Sequence, residues 1–108
     1  MSNRITVIVN GTDRQSFSHS KMSVLTDHVQ SILIDMIEEA IYGEHVFVAS
    51  QLPKGCVNQD GDFFSLKSQW RELRDLVVMI AKKALPKSTT LVAEVQQADG
   101  IQYTDKWL

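Results

Sequence analysis

Apolar and polar positions alternate near both ends of the sequence, which is the pattern of β-strands with one apolar face. The strands that this pattern predicts cover residues 4–9, 89–95 and 101–103. Each end also carries a turn signal, Asn10-Gly11 after the first strand and Asp99-Gly100 between the last two. Both pairs favour tight hairpin turns. The mostly polar residues 12–18, which follow the first turn, are expected to form a weak edge strand or a loop.

The first of two long helical segments is unusually apolar. It is predicted to begin near Ser20 or Ser23, either of which can cap a helix, and to end at Gly43, which suits the left-handed position after a helix. Its apolar residues cover roughly 200° of the helical wheel, well beyond the ~100° stripe of a simple surface helix. Ile34 widens that arc. Such a helix needs cover on two sides, and another molecule could supply part of it.

The second helix is predicted from Ser65 to about Leu85, because the proline that follows disfavours helical geometry in the residue before it. Its core face follows helical spacing and leaves Met79 pointing away from that face. Between the helices, residues 45–49 are predicted to form a short buried strand, and residues 50–65 form the longest irregular stretch.

The predicted elements follow the order β(β)αβαββ, which indicates an α+β fold with two helices packed on one face of a mostly antiparallel sheet. No repeat, low-complexity tract or linker interrupts the 108 residues, so we expect one α+β domain over residues 1–108. No window approaches the ~18 uninterrupted apolar residues of a membrane span. Cys56 is the single cysteine, which excludes an internal disulfide and favours a cytoplasmic location.

Charge is unevenly distributed, although the net formal charge is only -2. Residues 22–53 hold five acidic side chains and no lysine or arginine, whereas residues 67–87 hold six basic and two acidic side chains. One flank of the second helix carries four of these bases, Lys67, Arg71, Arg74 and Lys82. Because this spacing could follow a phosphate backbone, binding of single-stranded nucleic acid or RNA is the alternative function. The acidic balance of the chain argues against it.

Residues with reactive side chains are few. The three histidines lack the spacing that places two imidazoles on one helical face, so no metal site is predicted. Cys56 lies in a loop near Lys54, whose charge favours a reactive thiolate, and an enzyme with Cys56 as nucleophile is the third hypothesis. A nucleophile also needs a general base and an orienting group, and the spacing of residues along the sequence indicates neither beside Cys56. We therefore predict no enzymatic activity, no catalytic residue and no cofactor.

Some apolar residues are expected to project outside the core faces of the two helices or to lie at the end of the sequence. A contiguous apolar surface made of such residues is typical of a binding face. The leading hypothesis is a small cytoplasmic adaptor, regulatory subunit or inhibitor that binds another protein and forms a homodimer. The predicted contacts are Ile34, Met79, Trp107 and Leu108, with Glu38 and Arg71 as charges at the rim. On this hypothesis, Ile34→Asp abolishes association and leaves the fold intact.

Overall fold

The computed structural model describes residues 2–42 and 74–108. Its elements are β1 (Asn3–Val9), β2 (Asp13–His19), α1 (Met22–Tyr42), α2 (Arg74–Ala84), β3 (Leu91–Gln96) and β4 (Gln102–Lys106). The predicted strand at residues 45–49, the irregular stretch 50–65 and the first part of the second helix lie outside the described residues. The α+β class is confirmed.

The four described strands form one sheet in the order β2-β1-β3-β4, and every neighbouring pair is antiparallel. The first hairpin turns where the sequence predicts it, because Asn10 and Gly11 both have positive φ, at 52° and 76°. The arm that follows is a full strand of seven residues paired with β1, so the strand alternative for this segment is confirmed and the loop alternative is wrong. β1 and β3 form the centre of the sheet.

The second hairpin has a longer turn than the Asp99-Gly100 pair alone. The Gly100 N–H donates to the Gln97 carbonyl at 3.0 Å, and the Gln97 N–H donates to the Ile101 carbonyl at 2.8 Å. Asp99 supports the turn, since its Oδ1 accepts a hydrogen bond from the Ile101 N–H at 3.1 Å. Gly100 takes up a φ of 94°. β4 then continues to Lys106, beyond the predicted end of this strand.

The chain divides into two compact units, the first made of Met1–Val29 and Ser88–Leu108 and the second of Gln30–Lys87. Helix α1 contributes its first turns to the first unit and the remainder to the second. Whether residues 1–108 behave as one domain stays a prediction.

In the first unit, β1, β3 and the first turns of α1 supply buried apolar side chains. The register places Ile5 opposite Val95 and Val7 opposite Ala93, so both pairs lie on one face of the sheet. All four residues are buried, and Leu25 of α1 is fully buried in the same unit. Removing an aliphatic side chain of this size from water stabilises a fold by about 1.5–3 kcal/mol.

An aromatic stack joins β2 to α1 within the first unit. The rings of Phe17 and His28 lie with their centroids 4.7 Å apart and their planes inclined by 7°. Phe17 is opposite Ile5 in the register, so it belongs to the face of the sheet that carries the buried Ile5 and Val7. The first turns of α1 therefore contact the face that the sequence pattern predicts to be covered.

In the second unit, α1 buries a wide part of its surface. Leu33, Ile34 and Ile37 are buried, together with the side chain of Gln30. Ile34 is only 5% exposed, so the expectation that it projects outside the core is wrong. The reason is helical geometry, because Ile34 lies one turn after Gln30 and shares its side of the helix.

The described part of the second helix, α2, is amphipathic. Its buried side holds Val77, Ile80 and Ala81. The exposed side holds Asp75, Met79, Lys82 and Lys83. Met79 is 40% exposed, as the sequence predicts, and its neighbours on that side are charged. Neither of the described helices is both long and apolar enough to cross a membrane.

Candidate functional site

Trp107, which the sequence predicts to lie at an interface, lies in the core of the first unit. It is 4% exposed, so the expectation of an exposed aromatic residue is wrong. The backbone explains the burial, because the Trp107 and Leu108 N–H groups donate to the Leu91 carbonyl at 2.9 and 3.1 Å. These bonds extend the β3–β4 pairing past Lys106 and place Trp107 beside the fully buried Leu91. Leu108 is half-buried.

The other predicted contacts do not form a surface that the structure describes. Glu38 is half-buried, and one of its carboxylate oxygens, Oε1, is inaccessible to solvent, unlike a charge at an interface rim. With Ile34 buried as well, Met79 is the predicted anchor that stays clearly exposed. A single exposed apolar side chain on a charged helix face is common in proteins and is not by itself evidence of an interface.

The predicted nucleic-acid contacts lie largely outside the described residues. This applies to Lys67 and Arg71, and also to Cys56 of the nucleophile hypothesis. Arg74 is half-buried at the first position of α2, and Lys82 is exposed near the end of that helix. The basic stripe that the sequence predicts is therefore represented in the structure by two of its four members.

The hydrogen bonds of the β3–β4 hairpin define which backbone groups face away from the sheet. In an antiparallel pair, alternate residues direct both N–H and C=O to the partner strand, and the residues between direct theirs outward. The bond between Gln97 and Ile101 and the bond between Trp107 and Leu91 show that odd-numbered residues of this arm bond to β3. The outward N–H and C=O groups of β4 therefore belong to Gln102, Thr104 and Lys106.

The outer edge of β4 is accessible and carries large apolar side chains. Gln102, Thr104 and Lys106 are all exposed, and β4 is the last strand of the described sheet. Ile101 is 55% exposed and Tyr103 is 44% exposed. Met79 is the other large apolar residue found exposed among the side chains whose burial the structure describes, residues 2–40 and 74–108. The hairpin thus combines open backbone groups with two apolar side chains.

The opposite edge of the sheet, β2, differs from β4 in this respect. Its outward backbone groups belong to Arg14, Ser16 and Ser18, by the same alternation. The large apolar residue of β2, Phe17, is half-buried and stacked on His28. β2 is therefore a polar edge, of the kind that resists unwanted strand pairing.

A depression of about 410 Å³ lies on the polar face of the sheet, across β1, β3 and β4. Two rows of opposed residues line it, Arg4, Gln96 and Gln102 in one row and Thr6, Glu94 and Thr104 in the other. Val95 and Tyr103 also line it. They lie between the rows along their strands, and strand alternation directs their side chains to the opposite face. The strand backbone therefore forms the floor of the depression.

The residues that line the depression include both hydrogen-bond donors and hydrogen-bond acceptors. Arg4 and Glu94 are diagonal neighbours, at the ~7–8 Å separation that long side chains can bridge. The lining amides and hydroxyls both donate and accept, which suits the polar side chains or main-chain amides of a polypeptide. Among the described residues, no group of three or more His, Cys, Asp or Glu side chains could hold a metal ion.

Comparisons with protein-family models, with curated proteins and with solved structures found no match.

Proposed function

We propose that this chain is a small, non-enzymatic cytoplasmic protein that binds another protein through β4 and the turn that precedes it. The observation that carries the proposal is the exposure of Ile101 and Tyr103, 55% and 44%, beside the outward backbone groups of β4. An extended segment of a partner can add to such an edge as a further strand. Main-chain hydrogen bonds then supply affinity, and alternate side chains supply specificity.

The two faces of β4 would contact different parts of the partner. Tyr103 lies on the face that also carries Val95 and Ile5, and it offers an aromatic anchor of the type enriched at protein interfaces. Thr104 and Gln102 lie on the other face, next to the polar depression. A strand added to β4 would therefore meet an apolar anchor on one side and hydrogen-bonding groups on the other.

Charged residues in β4 limit which partners fit. Lys106 is exposed, and its side chain lies on the same face of the sheet as those of Gln102 and Thr104. Asp105 precedes it, and its side chain lies on the opposite face. Charged side chains on an edge strand oppose pairing with unsuitable chains, since a desolvated or like-charged neighbour costs free energy. The edge would thus select a partner strand that places no basic side chain opposite Lys106.

Thr104→Pro tests this proposal with little risk to the fold. Proline removes the outward N–H of residue 104 and leaves the hydrogen bonds between β4 and β3 in place, and edge strands tolerate proline where the N–H faces solvent. Linear peptides would be selected from a displayed random library on the purified protein at low concentration. We expect them to bind Thr104→Pro at least roughly tenfold more weakly, equivalent to about 1.4 kcal/mol.

The matched control is Ser18→Pro, which removes an outward N–H from the other edge of the sheet. The selected peptides should bind this variant with the affinity that they have for the parent protein. If no peptide is enriched, or if the enriched peptides bind Thr104→Pro as tightly as the parent, β4 is not a binding edge and the proposal is wrong.

A further inference from the structure

We infer that Asn10 is a site of spontaneous covalent modification, at which water converts the side-chain amide to aspartate and isoaspartate. The intermediate is a cyclic imide that Asn10 forms with the backbone nitrogen of Gly11. Both residues lie in the turn between β1 and β2 and not on the β4 edge. The inference is therefore independent of the proposed function.

The modification exchanges an amide nitrogen for an oxygen of water, with no oxidation or reduction. The Gly11 nitrogen gives its proton to a solvent base and attacks Asn10 Cγ, and the electron pair of the carbonyl moves to Oδ1. When the carbonyl forms again, the Cγ–Nδ2 bond breaks and ammonia leaves. Water then opens the imide at one of its two carbonyls. Opening at Cγ gives aspartate, and opening at the main-chain carbonyl gives isoaspartate, in which the chain runs through Cβ and Cγ.

The turn leaves the attacking nitrogen accessible. Gly11 is exposed, and a Cβ built on it would meet nothing within 4 Å, so the space around it is open to solvent. The turn is closed by the Thr12 N–H, which donates to the Val9 carbonyl at 3.2 Å, so the Gly11 N–H is not used in that bond. Because glycine has no Cβ, its backbone can rotate towards Asn10 Cγ at a low steric cost.

The amide that is attacked is also accessible. Asn10 is exposed, and its Oδ1 accepts a hydrogen bond from the Thr90 N–H at 3.0 Å. Oδ1 is the atom that gains negative charge during the attack, and a hydrogen-bond donor directed at such an atom stabilises that charge. Thr90 donates to Oδ1 and not to Nδ2, so this bond does not hold the group that leaves.

Asn3 provides a contrasting site in the same unit. It is buried, and both polar atoms of its side chain are hydrogen-bonded, Oδ1 to the Ala98 N–H and Nδ2 to two carbonyls. The residue that follows is Arg4, whose Cβ restricts the backbone rotation that glycine allows. The structure thus favours the reaction at Asn10 and opposes it at Asn3.

The two products are expected to differ in their effect on the fold. Aspartate keeps a side-chain oxygen that can accept the Thr90 N–H. Isoaspartate adds an atom to the main chain between Val9 and Gly11, and the length of a hairpin turn sets the register of its strands. We therefore expect isoaspartate to weaken the pairing of β1 with β2 and the link from the turn to Thr90, and aspartate to preserve both.

Peptide mapping by mass spectrometry tests the site. The purified protein is incubated in a mildly alkaline, ammonium-free buffer, and the conversion of amide to acid is followed at Asn10, Asn3 and Asn58. The mass change distinguishes this reaction from isomerisation of an aspartate, which leaves the mass unaltered. We expect conversion at Asn10 to be at least about tenfold faster than at the other two asparagines.

Asn10→Gln is the matched control for the imide route. It keeps an amide at this position, but its longer side chain must close a larger and less favourable ring. We expect no detectable conversion at residue 10 of this variant over the period that converts the parent. Conversion at an equal rate in the variant, an unmodified Asn10 in the parent, or equal rates at all three asparagines would overturn the assignment of the site.

Urea denaturation tests the consequence. Anion exchange separates the modified protein, which carries an added negative charge, and Asn10→Asp supplies the same charge with a normal main chain. We expect a lower urea midpoint for the isoaspartyl form than for the parent, and an almost unchanged midpoint for Asn10→Asp. If the isoaspartyl form unfolds at the midpoint of Asn10→Asp, the added main-chain atom does not weaken the hairpin and the inferred consequence is wrong.

Discussion

Asn3 and Ala98, at opposite ends of the sequence, are joined by a hydrogen bond of 2.9 Å from the Ala98 N–H to Asn3 Oδ1. The same side chain donates from Nδ2 to the carbonyls of Ser20 at 3.0 Å and His19 at 3.3 Å. One buried amide therefore ties the start of β1 to the segment before α1 and to the turn before β4. This linkage holds the turn that presents Ile101.

Asn3→Leu is expected to destabilise the fold through this linkage. The substitution keeps the approximate size of the side chain and removes all three part-buried hydrogen bonds, which leaves three backbone groups without that partner. We expect a loss of about 1–3 kcal/mol in the free energy of unfolding, measured by urea denaturation. Arg4→Gln, on the next and exposed position of β1, should change it by less than ~0.5 kcal/mol. Equal stability of Asn3→Leu and the parent would contradict this role.

The stack of Phe17 on His28 predicts a measurable coupling between β2 and α1. In a double-mutant cycle with Phe17→Leu and His28→Ala, we expect a coupling free energy of about 0.5–1.5 kcal/mol, the range for stacked aromatic pairs. Gln15→Ala replaces Phe17→Leu in the control cycle, because Gln15 is exposed on the same strand. That cycle should close to within ~0.5 kcal/mol, and coupling of similar size in both cycles would show that the stack is not its source.

Ile34→Asp should act on folding and not selectively on association. Because Ile34 is 5% exposed, aspartate at this position places a carboxylate in the core, and we expect a loss of about 4 kcal/mol or more. Met79→Asp is the comparison, since Met79 is 40% exposed. Its expected loss is below about 1 kcal/mol, including repulsion of ~0.2–0.5 kcal/mol from Asp75 one turn earlier. Thermal unfolding followed by circular dichroism distinguishes the two, and similar losses would show that burial does not decide the outcome.

The fold elements are predictable where local chemistry determines them. Alternation marks β1 and β3, and the positive φ of Asn10 and Gly11 follows from residues that tolerate it. The predicted limits of α1 bracket the observed Met22–Tyr42 closely. The sequence does not decide between strand and loop for β2, because its polar residues show no apolar periodicity. It is a strand since β1 supplies a pairing edge, which is a tertiary effect.

The candidate site is not predictable from the sequence, because it depends on register. Helical spacing predicts the direction of the Ile34 side chain but not how much of the α1 surface is buried. The sequence shows Trp107 as an apolar residue near its end, but it does not show the backbone hydrogen bond to Leu91 that accompanies its burial. The depression requires Gln96 to face Gln102 and Glu94 to face Thr104. A turn one residue longer or shorter would change both pairs. The sequence does show the alternate polar residues of β3 and β4. Which of them lie opposite each other depends on the length of the turn.

Gly100 is the residue at which that register can be tested. Its φ of 94° is unfavourable for a residue with a Cβ, yet a Cβ built there would meet nothing within 4 Å, so the cost of Gly100→Ala is conformational and not steric. We expect Gly100→Ala to lower the free energy of unfolding by about 1–2 kcal/mol. Gly100→Val should cost more, because β-branched residues are poorly suited to positive φ. Gln102→Ala, on a nearby exposed position, serves as the control in urea denaturation. If Gly100→Ala is as stable as the parent, the turn does not depend on glycine at this position, and the alignment of Gln96 with Gln102 must come from the strands themselves.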